Sequence, residues 1–185
     1  MGRECAWLGW KALLAFYREA ANWAPLTYSG GVVFCHRNAP IHSAKRLASD
    51  LTDQAKDRGG RGNFAAYQAL ESFDAIGQDI DDFMRDRYRF TEGRGIVLGF
   101  PEIACIEGNM EHWRETLSKR KLHSLVTNLM RGGKVDRDTA IAQLLEFKNA
   151  ASENTAESIR ALHGMVGGAA FLHILELWDY AGIAL

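Results

Sequence analysis

Hydrophobic positions along this chain change period, and the change divides it. Over Cys5–Trp23, Trp7, Trp10, Leu14, Tyr17 and Ala21 recur every three or four residues, with Lys11, Arg18 and Glu19 between them. That spacing predicts an amphipathic helix stopped by Pro25. Leu26–His36 then turns β-branched and aromatic, and the unbroken apolar run Val32-Val33-Phe34-Cys35 predicts a strand buried on both faces. Gly30-Gly31 removes side chains in mid-strand, as happens at a bulge or where something approaches the backbone closely. Pro40 suits a first helical turn. After it, Ile41, Ala44, Leu47, Ala48, Leu51 and Ala55 form one stripe, predicting a helix over Pro40–Asp57. Asp57–Asn63, DRGGRGN, reads as a turn. Phe64–Ser72 reads as a second strand. Phe73–Tyr88 follows as a helix, acidic early and basic late, and Gly93–Phe100 as a short strand.

From Met110 onward nothing alternates like a strand. Turn signals separate helices predicted at Met110–Met130, Asp136–Ala150 and Thr155–Leu177, the last split or kinked by Gly164, Gly167 and Gly168. The expected fold class is α+β, with a mixed first half and an all-helical second half. The expected boundary lies near Pro101–Asn109, giving modules at 1–100 and 101–185.

The formal net charge is −1, so any nucleic-acid contact must come from a local patch. Cys5, Cys35 and Cys105 are odd in number and far apart with no CxxC, which supports neither a zinc finger nor a disulfide framework. No apolar run reaches the ~18–20 residues of a membrane span. The amino terminus lacks the apolar core and cleavage site of a signal peptide. Expected, therefore, are a cytoplasmic location, reduced thiols and no membrane partner.

Chemistry-bearing clusters are few. The six histidines include no HxxxH, and no GxSxG occurs. Asp79, Asp81, Asp82 and Asp86 are interleaved with Arg85 and Arg89 at ion-pair spacing, so surface pairing is expected there rather than a metal site. Lys119-Arg120-Lys121, with Arg114, His123, Arg131 and Lys134 nearby, is the local candidate for binding a polyanion or an acidic partner. The apolar side of that helix is Leu117, Leu122, Leu125, Val126 and Leu129. Trp178–Tyr180, with Phe171, Leu172 and Leu175, reads as a core stripe.

In Leu26–Lys56 the order is a strand bearing Ser29-Gly30-Gly31, a strand end at His36, Pro40-Ile41, then a helix closing on Ala55-Lys56. This order resembles the second palm domain in the large, cyclase-like subunit of type III CRISPR effector complexes. The resemblance covers Trp7–Ser72 by motif. It extends to the helical tail through Ser118–Leu122, SKRKL, and Leu175–Tyr180, LELWDY. It implies a partial ferredoxin-like, cyclase-palm half followed by a helical domain, in a chain that begins just after the family's metal-binding turn. It further implies half of an ATP site for cyclic oligoadenylate synthesis, with Ser29, Gly30 and Gly31 at the nucleotide and Lys56, Arg61 and Asn63 at the phosphates. Two departures qualify this picture. Ser-Gly-Gly stands where the family usually has Ser-Ala-Gly, and no Gly-Gly pair is followed by Asp-Asp. The Mg or Mn ions of two-metal chemistry would therefore be held by a partner segment, and the chain supplies no catalytic residue itself. Implied partners are the preceding palm half and other subunits of a CRISPR ribonucleoprotein complex, with guide or target RNA contacted indirectly. The alternative is a non-catalytic helical interaction subunit whose degenerate palm is structural.

Overall fold

A computed structural model describes residues 29–35, 40–59, 64–70, 88–91, 97–145 and 152–180, with positions 8, 11, 12, 15, 16, 18, 19 and 82. Strand β1 (Ser29–Cys35), helix α1 (Ile41–Gly59) and strand β2 (Phe64–Leu70) form a strand–helix–strand unit. The two strands pair directly and in parallel, from Ser29 opposite Phe64 to Cys35 opposite Leu70. A short β3 (Val97–Gly99) runs antiparallel to the start of β2, with Ala66 opposite Val97. Among the described residues the sheet order is β1-β2-β3.

Helix α1 closes onto β1 at Gly31. A Cβ there would collide with the Ala48 carbonyl oxygen and lie 2.8 Å from the Thr52 nitrogen and 2.9 Å from Leu51 Cβ. The Thr52 hydroxyl bonds back to the Ala48 carbonyl at 2.8 Å. What approaches the glycine strand is thus the helix backbone itself. Leu51 and Ala55 of α1 are fully buried, whereas Ile41, predicted to share their stripe, is 76% exposed at the helix start. On the other face of the sheet, Phe34 stacks on Tyr180 with ring centroids 4.6 Å apart. Strand β1 therefore has a pairing partner in β2 and covering groups on both faces within the chain.

Gly99 ends β3 and α2 (Phe100–Thr116) begins at once, with Pro101 in its first turn. The segment 101–109, expected as a boundary, is helical. The predicted single helix Met110–Met130 is instead the end of α2 and a separate α3 (Lys119–Met130). The break is at Ser118, which caps α3 by accepting from the Lys121 amide. Helix α3 ends at Gly132, whose φ of +88° is the left-handed conformation a side chain resists. Gly132 N–H donates to the Leu129 carbonyl and Gly133 N–H to that of Asn128, both at about 3 Å, which satisfies two orphan carbonyls.

Asp136 then caps α4 (Arg137–Leu145), accepting the Thr139 amide at 3.0 Å. A hydrogen bond from the Thr139 side chain, and after it this backbone one, hold the Asp136 carboxyl below its usual range. A depressed folded-state pKa means this contribution is fully present above the ordinary carboxylate range and is lost as pH falls through the lowered folded-state value. Helices α5 (Ser152–Val166) and α6 (Ala169–Leu177) meet at Gly167-Gly168 with a bend of 114°. The break is thus at two of the three predicted glycines. Gly164 lies inside α5, and a methyl group added there would meet nothing within 4 Å. Gly164→Ala is therefore expected to raise stability by about 0.5–1 kcal/mol, read as a higher urea midpoint.

The helical half is packed around the buried face of α2: Ile103, Ile106, Met110 and Trp113. One core joins these residues to Phe34, Leu51 and Leu98 of the sheet layer and to Ile159 and Leu172 of α5 and α6. Polar groups inside it are ordered. Thr155 Oγ1 donates to Thr116 Oγ1 at 3.1 Å, and Thr116 Oγ1 donates to the His112 carbonyl at 2.8 Å. Thr155 Oγ1 also hydrogen-bonds His112 Nε2 at 2.8 Å, with the donor set by the imidazole tautomer. Thr155→Val keeps the shape but strands these partners, and about 1–2 kcal/mol of stability should be lost, measured by urea unfolding.

At the amino end, Leu8, Lys11, Ala12, Ala15, Phe16, Arg18 and Glu19 are helical and exposed, as the outward side of the predicted helix requires. The Arg18 guanidinium sits 5.6 Å from the Phe100 ring centroid, a cation–π distance. The predicted helix Phe73–Tyr88 lies outside the described residues apart from Asp82, which is helical and exposed, and Tyr88. The aspartates 79, 81 and 86 lie outside them too. Arg89, expected to pair with Asp86, donates to the Met130 carbonyl at 3.1 Å and so caps α3.

No helix in the described residues is long and apolar enough by itself to cross a membrane.

Candidate functional site

Two sets of residues were expected to bind ligands, and they fare differently. The first is the nucleotide set. Residues two apart in a strand share a face, so Ser29 shares the α1 face of the sheet with Gly31. Helix α1 runs antiparallel to β1, and Lys56 lies one turn beyond Thr52. Ser29 and Lys56 therefore belong to the same end of this layer. The Lys56 ammonium pairs with Asp53 Oδ1 at 2.9 Å, both side chains being more than half exposed. Exposed pairs of this kind contribute little. Gly30 is paired opposite Ala65, and the room opened at Gly31 is filled by α1. Arg61 and Asn63 lie outside the described residues.

The second set is the basic cluster, which the structure divides. Arg114 belongs to α2 and donates through both Nε, at 2.7 Å, and Nη2 to the Trp178 carbonyl just past α6. Burial pulls its pKa below the usual guanidinium value, against the attraction of Asp179 and Glu111. Lys119 pairs with Asp179 at 2.6 Å. Lys121 crosses to the Gln143 carbonyl at 2.9 Å and ties α3 to the end of α4, where a cation suits the helix dipole. Arg120, Arg131 and Lys134 have no counter-ion among the described residues, and these three and His123 are exposed.

Arg120, Lys121, His123 and Arg131 line a groove of about 720 Å³ between α3 and α4. Ser124, Thr127 and Asn128 of α3 and Gln143 of α4 supply its uncharged polar groups, over Leu125 and Leu144. Among the described residues no carboxylate lines it. Lys119, Arg120 and Lys121 fill the first turn of α3, which contains no acid. Cations at a helix amino terminus oppose the dipole, so the charge is concentrated there at a cost to the free helix. An anion in the groove would be attracted by the side chains and the helix end together. Sequence reasoning found the cations but missed Ser124, Thr127, Asn128 and Gln143. Their signal was the polar stripe at positions 120, 124, 127 and 131. Gln143 is invisible without the packing of α4.

The other candidate chemistry is quiet. Burial raises the Cys105 thiol, with a smaller rise from Glu102 and an opposing hydrogen bond from Asn109, so this cysteine stays protonated. Among the described residues no group of three or more His, Cys, Asp or Glu side chains is placed to hold a metal ion.

No family model, no curated protein and no solved structure matches this chain.

Proposed function

We propose that the chain is a non-catalytic interaction subunit, in which the sheet layer is a scaffold and the α3–α4 groove docks an anionic partner. The observation that carries this reading is the pair of exposed arginines, Arg120 and Arg131, lining one groove with no counter-ion and no carboxylate among the described residues. The scaffold role is supported by Gly31, whose missing side chain is explained by contact with α1. It is also supported by the direct pairing of β1 and β2, because a split βαβ palm would hold another strand between them. The test is charge reversal. Fluorescence anisotropy with labelled inorganic polyphosphate should show saturable, salt-sensitive binding, weakened at least tenfold in an Arg120→Glu/Arg131→Glu double variant. Arg46→Glu, on the exposed side of α1, should leave it unchanged. Equal binding by all three proteins would refute the reading.

A second reading follows from the shared end occupied by Ser29 and Lys56: an ATP half-site within a type III CRISPR effector complex. Metal ions and their carboxylates would then come from a partner palm half. The neighbouring subunits and guide RNA would supply the surroundings in which the groove acts. Here the assay supplies a Gly-Gly-Asp-Asp palm half in trans with Mg and ATP. Oligoadenylate formation that Lys56→Ala reduces would favour this reading, and its absence, or indifference to Lys56→Ala, would remove it.

A further inference from the structure

We propose that the α3–α4 groove takes an extended acidic segment of a partner protein, and this rests on the anion-docking reading above. Arg120 in the first turn of α3 and Arg131 just past its end are eleven residues apart, about three turns and about 16 Å along the axis, so the two positions share one face and stand at opposite ends of the groove. An extended chain advances about 3.3 Å per residue, so the two arginines match carboxylates about five residues apart. Each can grip its carboxylate with two parallel hydrogen bonds.

The groups between the arginines select a peptide over a phosphodiester strand. A nucleic-acid backbone offers almost nothing but acceptors, so a site built for it needs donors. Asn128 and Gln143 carry both a carbonyl and an amide, and Ser124 and Thr127 both donate and accept. Such a lining complements the alternating N–H and C=O groups of a peptide. Among the described residues no aromatic side chain lines the groove, whereas single-strand binding surfaces stack bases on aromatic rings. Leu125 and Leu144 at the base of the groove suit an aliphatic side chain between the acidic ends. The net charge of −1 over the whole chain provides no broad field to gather a polyanion, while a local basic groove is enough for a short acidic segment.

The experiment uses the full chain and four fluorescein-labelled probes. These are a dodecapeptide with glutamate pairs five residues apart around a Ser-Leu core, its glutamine counterpart, dodecauridylate and inorganic polyphosphate. The acidic peptide should bind at least tenfold tighter than its glutamine counterpart and tighter than dodecauridylate, and Arg120→Glu/Arg131→Glu should abolish that preference. Dodecauridylate binding as tightly as the peptide, with the same arginine dependence, would overturn the inference in favour of a nucleic-acid surface. Arginine-dependent binding of polyphosphate without binding of the peptide would overturn it while sparing the anion-docking reading. If no probe depends on the arginines, both fail. Far-UV circular dichroism of the double variant, in which both changed side chains are exposed, should match the parent and exclude unfolding as the cause of any loss.

Discussion

Gly31→Ala is expected to cost about 3 kcal/mol, the upper end of what overpacking usually costs, and to loosen α1 from the sheet. A single methyl has this effect because its neighbours are not flexible side-chain tips. The Ala48 carbonyl oxygen, the Thr52 nitrogen and Leu51 Cβ all belong to or adjoin the helix backbone. Relief requires the helix to shift as a unit, which would lift Leu51 and Ala55 from full burial. A domain is stable by only ~5–15 kcal/mol, so the variant should unfold at a clearly lower urea concentration, with faster hydrogen exchange across Ser29–Cys35. The nucleotide reading of this glycine predicts something else, namely weakened ATP binding at unchanged stability. An unaltered urea midpoint would mean that α1 does not approach β1 this closely.

Local signals in the sequence located most elements because local physics determines them. The continuous apolar run at Val32–Cys35 marked β1, and the Ala44–Ala55 stripe marked α1, which runs to Gly59. Gly132-Gly133 ended α3 as expected, since only glycine accepts the required φ at residue 132. The failures came where a residue type has two local uses. The strand expected over Gly93–Phe100 is described at Val97–Gly99 and stops there, because a proline is at home in a first helical turn and Pro101 lets α2 open directly from β3. Ser118 was passed over within an apparently unbroken helical pattern, although a serine cap is what starts α3. Ile41 kept its place in the stripe by spacing, but the stripe extends beyond the sheet that would cover it.

The site was half legible for the same reason. A run such as Lys119-Arg120-Lys121 announces charge but not its destination. Only the fold shows that Lys119 and Lys121 hold the helices together through Asp179 and the Gln143 carbonyl, while Arg120 is left for the groove. Arg114 was counted with them by proximity along the chain, and α2 turns it instead to the carbonyl at the end of α6. Glycines in mid-strand announced a close approach correctly, but sequence alone does not distinguish a ligand from the chain's own helix.

Trp113→Ala should produce the largest loss of stability, about 3–5 kcal/mol. Among the described residues Trp113 is the largest fully buried side chain, and it packs from α2 toward α5. Its indole Nε1 donates to Ser158 Oγ at 2.8 Å, and that hydroxyl in turn donates to the Thr155 carbonyl. Alanine removes the apolar contacts, leaves a cavity that helices joined by short turns cannot close, and deprives the Ser158 oxygen of its donor. The two contributions are separable. Trp113→Phe retains most of the ring volume but not the hydrogen bond, so it should cost about 1–2 kcal/mol beyond the smaller loss of volume. The double variant Trp113→Phe/Ser158→Ala, lacking both hydrogen-bonding groups, should then cost less than the sum of its single variants. Urea unfolding followed by far-UV circular dichroism gives all four midpoints. Strictly additive single variants would mean that the indole and Ser158 do not meet, and α5 would have to pack on α2 in a different register.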